Sequence, residues 1–178
     1  MRLENTQAAG RMALAATVAL VAAMATPAFA QGDYKAAALK HLKTSRDFTL
    51  KVAEQMPGVD YAFRLTPPQM SFAEQLVHLA QSLDGYIAPF SGQKPSTAKP
   101  ASISKKDVTA FVRKCFDDAI DKVSKLTPAQ LAKTYDSEEG KLTGVELLMA
   151  MLDHTTHHRA SAEMYLRAKG ITPVEYEF

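Results

Sequence analysis

Two short signals of the form Ser/Thr-x-x-Glu constrain this chain more than any other feature in it. Ser71-Phe72-Ala73-Glu74 and Thr143-Gly144-Val145-Glu146 each place a hydroxyl at a helix N-cap. There it accepts from the third helical N–H while the glutamate reaches back to the cap. Beyond Ser71, the residues Phe72, Leu76, Leu79, Leu83 and Tyr86 recur at steps of four and three. That spacing predicts a helix to about Ile87 with one apolar face. The helix opened by Thr143 should stop at Gly170, which suits the left-handed C′ position, with Pro173 just beyond.

Two more helices are punctuated in the same way. One runs from about Asp33 to Met56 and is stopped by Pro57-Gly58. The other opens at Ser104 and Asp107 and ends near Leu126, before Thr127-Pro128, with a short helical turn expected from Pro128 to Lys133. Pro67-Pro68 marks a loop, and Pro89 to Ser104, rich in Pro, Ser, Lys and Gly, marks a long connection of the kind that often forms a lid. No strand-like alternation of useful length and no internal repeat is expected. The fold class is therefore all-α, a four-helix bundle over residues 31–178.

Residues 1–30 read as a secretory signal peptide. Met12 to Ala25 is an uncharged apolar run, Pro27 breaks it, and Ala28-Phe29-Ala30 offers small residues for cleavage after Ala30. The run is too short for the roughly 20 apolar residues that a membrane-spanning helix needs, although retention as an N-terminal anchor is the alternative. The expected product begins at Gln31, has no stable membrane insertion after cleavage, and is periplasmic or secreted.

Charge and cysteine content remove other classes. Lys+Arg at 21 against Asp+Glu at 19, without a basic run, argues against nucleic acid as a partner. A single cysteine excludes an internal disulfide and a Cys-rich metal site. Cys115 falls at helical spacing among Val108, Val112, Ala119 and Leu126, so burial as a small hydrophobe is expected.

The chemistry then rests with five histidines: His41, His78, His154, His157 and His158. The series Leu147, Met151, His154, His158, Ala162, Tyr165 makes one helical stripe, which turns His154 and His158 into the bundle. His157 lies about 100° away, on a flank. Two imidazoles at i, i+4 can reach one cation. The metalloprotease version needs Glu after the first histidine, and Thr155 stands there. His78 is the best candidate for a third ligand, on a side of its helix shared with Gln75 and Ser82. His41 is a weaker candidate on the first helix. The competing account is a polar core of neutral imidazoles bonded to backbone or water.

The segments Ser71 to Ala80 and His154-Thr155-Thr156-His157-His158-Arg159-Ala160 are similar to the two signatures of the DinB-like superfamily of metalloenzymes. Tyr165-Leu166-Arg167, Gly170-Ile171-Thr172-Pro173, Tyr61-Ala62-Phe63-Arg64 and Pro67-Pro68 extend the resemblance over nearly the whole of residues 31–178. It implies a four-helix bundle, a divalent metal, often zinc or nickel, held by His78, His154 and His158, and often a homodimer. The commoner family form has Gly-Gln after the arginine, where this chain has Ala160-Ser161.

Three neutral imidazoles leave a coordination position open, as catalytic sites do. Relatives in the superfamily transfer or isomerise with low-molecular-weight thiols, and hydrolysis of a small-molecule substrate is the other enzymatic option. Hydrolysis needs a general base. Asp153 is expected on a flank, Glu163 facing away and Arg159 in solvent. A non-catalytic periplasmic metal-binding module is the answer from a different class.

Overall fold

In the computed structural model, which describes residues 34–176, the Ser71 cap forms as its sequence requires. Ser71 Oγ accepts from Glu74 N at 3.2 Å, and Glu74 Oε2 accepts from Ser71 N at 2.6 Å. The described residues are mostly helical, with five α-helices among them: α1 (residues 34–55), α2 (Phe72–Ile87), α3 (Lys105–Ser124), α4 (Pro128–Ala132) and α5 (Gly144–Ala168). Both the onset of α1 at Asp33 and the expected signal segment, residues 1–30, lie outside the described residues.

The four long helices contribute to one hydrophobic core, with α2 packed against both α3 and α5. From α2 come Phe72, Leu76, Leu79, Leu83 and Ile87, all buried. Tyr86, expected on that stripe, is only half-buried. The buried row continues from Leu83 to Ile87 instead, and the Tyr86 ring turns toward α5. From α3 come Val108, Val112, Phe116, Ala119 and Val123. Cys115 stands beside this row and is half-buried rather than in its middle, because the larger Phe116 takes the central position. Burial still pushes its thiol up to about 11.

Where no strand was expected, Thr134–Ser137 (β1) pairs antiparallel with Gly140–Thr143 (β2), Thr134 opposite Thr143 and Ser137 opposite Gly140. Four-residue strands of mostly polar residues are too short to display alternation. Only Tyr135 among them is buried, its ring edge-on to Phe90 at 5.0 Å. Gly140 sits at φ 103° in the turn, a backbone conformation that favours glycine. Gly144 lets β2 run into α5 against α4: a Cβ there would lie 2.5 Å from the Gln130 carbonyl oxygen.

The α5 C-terminus closes as foreseen. Gly170, at φ 74°, donates to Arg167 O at 3.0 Å, and Ile171 N donates to Leu166 O at 2.9 Å, the paired bonds of a Schellman motif. The connection after α2 begins with a 3₁₀ turn, Ala88–Ser91. It is tied back to α2 by Ser96 N donating to Asp84 Oδ2 (2.7 Å) and Gln81 Nε2 donating to Ala98 O (2.9 Å). Among the described residues, no helix is long and apolar enough to cross a membrane.

Candidate metal centre

The side of α5 that enters the core is not centred on the histidines. Leu147, Leu148, Met151, Thr155, Arg159, Ala162, Tyr165 and Leu166 are buried, whereas His154 and His158 are half-buried along the edge facing α2. Two polar residues hold the centre because their groups find partners there. Thr155 Oγ1 donates to Met151 O at 2.7 Å, one turn back.

Arg159, expected in solvent, is 4% exposed. Its guanidinium lies 4.4 Å over the Phe48 ring and donates through Nη1 to Ser45 Oγ at 3.2 Å. Such cation–π contact, together with burial of the alkyl stem, offsets desolvation of the charge. Glu163, expected to face away, is half-buried, with Arg167 at 3.5 Å and Arg159 at 3.9 Å.

The edge facing α2 gathers three of the five histidines. One ring nitrogen from each of His78, His154 and His158 lies within 4.8 Å of the other two. Ring centroids are 4.5 Å apart for His78–His158 and for His154–His158, and 5.2 Å for His78–His154. His157 is exposed and outside the cluster, its ring edge-on to His158 at 4.9 Å. His41 is outside it as well.

Burial, followed by repulsion from the neighbouring imidazoles, lowers the His158 pKa to about 4, and the same causes lower that of His154. Both are therefore neutral at pH 7, the form that ligates. Gln75, one turn before His78 on α2, accepts through Oε1 from His158 Nδ1 at 2.7 Å. The Nδ1 proton leaves the Nε2 lone pair of His158 available, the usual way in which an outer partner orients a ligating imidazole. His154 Nδ1 is buried and has no hydrogen-bond partner. An orphaned nitrogen beside two further imidazoles fits a cation that accepts three nitrogen donors.

Two residues beside the cluster escaped the sequence reading. Tyr86, ring centroid 5.6 Å from His154, donates to Glu139 Oε1 at 2.5 Å, and burial raises its pKa strongly. Glu139 sits in the β1–β2 turn, where its N–H donates to Ser137 Oγ at 3.2 Å. An unrecognised hairpin hid Glu139. Gln75 was legible, since it shares a helix face with His78 one turn away.

The DinB family model matches residues 24–178. This chain belongs to the DinB family. YjoA of Bacillus subtilis is 23% identical over 149 residues, covering 78% of this chain and 92% of that protein. The crystal structure of YjoA, a DinB-like protein, aligns with a TM-score of 0.64 at 22% identity over 78% of this chain and 96% of that one. A DinB-like protein of Bacillus cereus aligns with a TM-score of 0.69 at 17% identity, covering 79% and 95% respectively. These alignments show the DinB-like fold. Where the commoner family form has Gly-Gln, Ala160 is exposed and Ser161 Oγ donates to His157 O at 2.9 Å.

Proposed function

We propose that this DinB family protein binds one divalent cation, zinc or nickel, through His78, His154 and His158. The observation that carries this reading is the convergence of three ring nitrogens within 4.8 Å. A divalent cation held by three imidazoles supplies Lewis acidity, lowering the pKa of a small-molecule oxygen or sulfur acid that reaches its open position. Gln75 orients His158. Tyr86, its pKa raised, keeps its proton at pH 7 and donates a hydrogen bond to Glu139. A metal-dependent transfer or hydrolysis on a small molecule fits these groups. A non-catalytic metal-binding bundle is the second reading, favoured by Glu139 already accepting from Tyr86.

Metal analysis after dialysis against a weak chelator tests the ligand set. Alanine at His78, His154 or His158 should release the metal, and His41→Ala and His157→Ala should retain it. Loss in His157→Ala with retention in His78→Ala would overturn the assignment.

The four-helix bundle is proposed to follow a cleaved signal, on the strength of Met12 to Ala25 and Ala28-Phe29-Ala30. Intact mass of protein from its native host should correspond to a chain starting at Gln31; cytoplasmic protein retaining Met1 would sink it. A homodimer is proposed on the family resemblance, and Met149 and Met164, exposed on α5, offer it apolar surface. Sedimentation of the metal-loaded protein distinguishes it from a monomer.

A further inference from the structure

We infer that the groove bordering His78 binds a small amphipathic anion, an apolar body carrying one carboxylate, and that Lys99 selects its charge; this rests on the metal-site reading. The groove, about 620 Å³, lies between α2 and the connection leading into α3. That volume falls within the roughly 300–1,000 Å³ of ordinary small-ligand sites. His78, the one triad member that lines it, joins it to the candidate metal centre.

The lining defines the ligand. Val77, Met70, Ile103, Pro68 and Pro100 provide an apolar wall, with Ile103 55% and Met70 38% exposed. Exposed side chains of this kind, gathered at one concavity, mark a surface that an apolar group covers. Charge is supplied unevenly. Arg64 is spent on Glu74 at 2.8 Å and on the Gln69 carbonyl, and Glu74 in turn caps α2. Among the described residues, none forms an ion pair or side-chain hydrogen bond with Lys99. The groove therefore carries one uncompensated positive charge and no free acid, which suits a monoanion.

The wall is also held in place before any ligand arrives. Gln81 Nε2 donates to Ala98 O at 2.9 Å, next to Lys99, and Ser102 Oγ donates to Asp107 Oδ2 at 2.6 Å, next to Ile103. Further along, Lys105 Nζ donates to Met56 O at 3.2 Å. A preformed wall reduces the ordering that binding would otherwise require. A second concavity, of about 270 Å³ beside Asp84, is lined in part by Lys122 and Lys125. Lys122 and Lys125 pair with Asp84 and Asp121; Lys94 also lines it, and no triad histidine does.

The test uses the full zinc-loaded protein with 4-phenylbutyrate and its uncharged amide as probes, titrated at low salt. Methyl signals of Val77 and Ile103 report occupancy, and zinc content is measured on the same samples. Wild type should bind the carboxylate about fivefold more tightly than the amide, the scale of one exposed ion pair. Lys99→Glu should reverse that order, and Ile103→Asp should weaken both probes, each with zinc content unchanged. Equal binding of the two probes, no binding, or a carboxylate preference that survives Lys99→Glu would overturn the proposal. The last result would mean that zinc alone selects the anion. A chain that holds no zinc yet keeps the Lys99-dependent preference would sink the metal reading and leave the groove standing.

Discussion

On α5, His158 faces α2 and Arg159 faces α1, and these neighbouring residues meet polar interfaces of different kinds. Arg159 is buried against a ring face, a serine hydroxyl and the outskirts of a carboxylate. Its Nε, like Thr49 Oγ1, lacks a hydrogen bond, but the charge itself is surrounded by stabilising groups. His158 is half-buried, neutral, and meets two more imidazoles, with one ring nitrogen of each of the three within 4.8 Å of the others. The Arg159 interface is built to hold helices together. The histidine interface brings one ring nitrogen from each of three imidazoles together, an arrangement that contributes little to folding and favours a bound cation.

That contrast can be broken from either side. Arg159→Ala removes the stem packing and the stacked cation, and should destabilise the fold by about 2–4 kcal/mol, the range for truncating a large buried side chain. Its metal stoichiometry should stay at wild type, measured beside urea denaturation. Metal loss in this variant would show that the two interfaces are one unit.

A smaller effect is expected from Gln75→Leu, which deletes the acceptor of the His158 Nδ1 proton. Metal affinity should fall by about 10–100-fold, typical of outer-shell partners, with metal-free stability nearly unchanged. A competition titration against a zinc chelator reads the first quantity and denaturation the second.

The metal-free protein should also lose stability on acidification in a defined window. His154 and His158 sit below the unfolded value of about 6.5, His158 near 4. Between those limits the unfolded chain binds more protons than the folded one. Stability contributed by these neutral rings is complete above about pH 6.5 and declines as pH falls toward about 4. Replacing His158 with Gln should flatten that slope.

The smallest expected effect concerns Cys115, whose thiol burial raises to about 11. Alkylation in the native state at pH 8 should be much slower than for a free thiol, since the thiolate is the reacting form. Labelling as fast as a model thiol would show that the α3 surface there is open.

How far the sequence could be read follows the same division. Caps are local, so Ser71–Glu74, Thr143–Glu146 and Gly170 announced their helix ends correctly. The i, i+4 pair His154 and His158 and the partner His78 were likewise legible as a cluster. Arg159 was not, because its burial depends on Phe48 and Ser45, more than a hundred positions away in the chain. Thr155 stood in a core row that its polarity disguised, with the hydroxyl satisfied by its own helix. Glu139 depended on a hairpin whose strands are too short and polar to signal themselves.

The most direct measurement is anomalous diffraction at the zinc edge from crystals of the zinc-loaded protein. One peak per chain is expected, about 2.0–2.1 Å from a ring nitrogen of each of His78, His154 and His158. A fully loaded crystal with no peak among those three rings, or with a peak ligated by His157 in place of His78, would contradict the account.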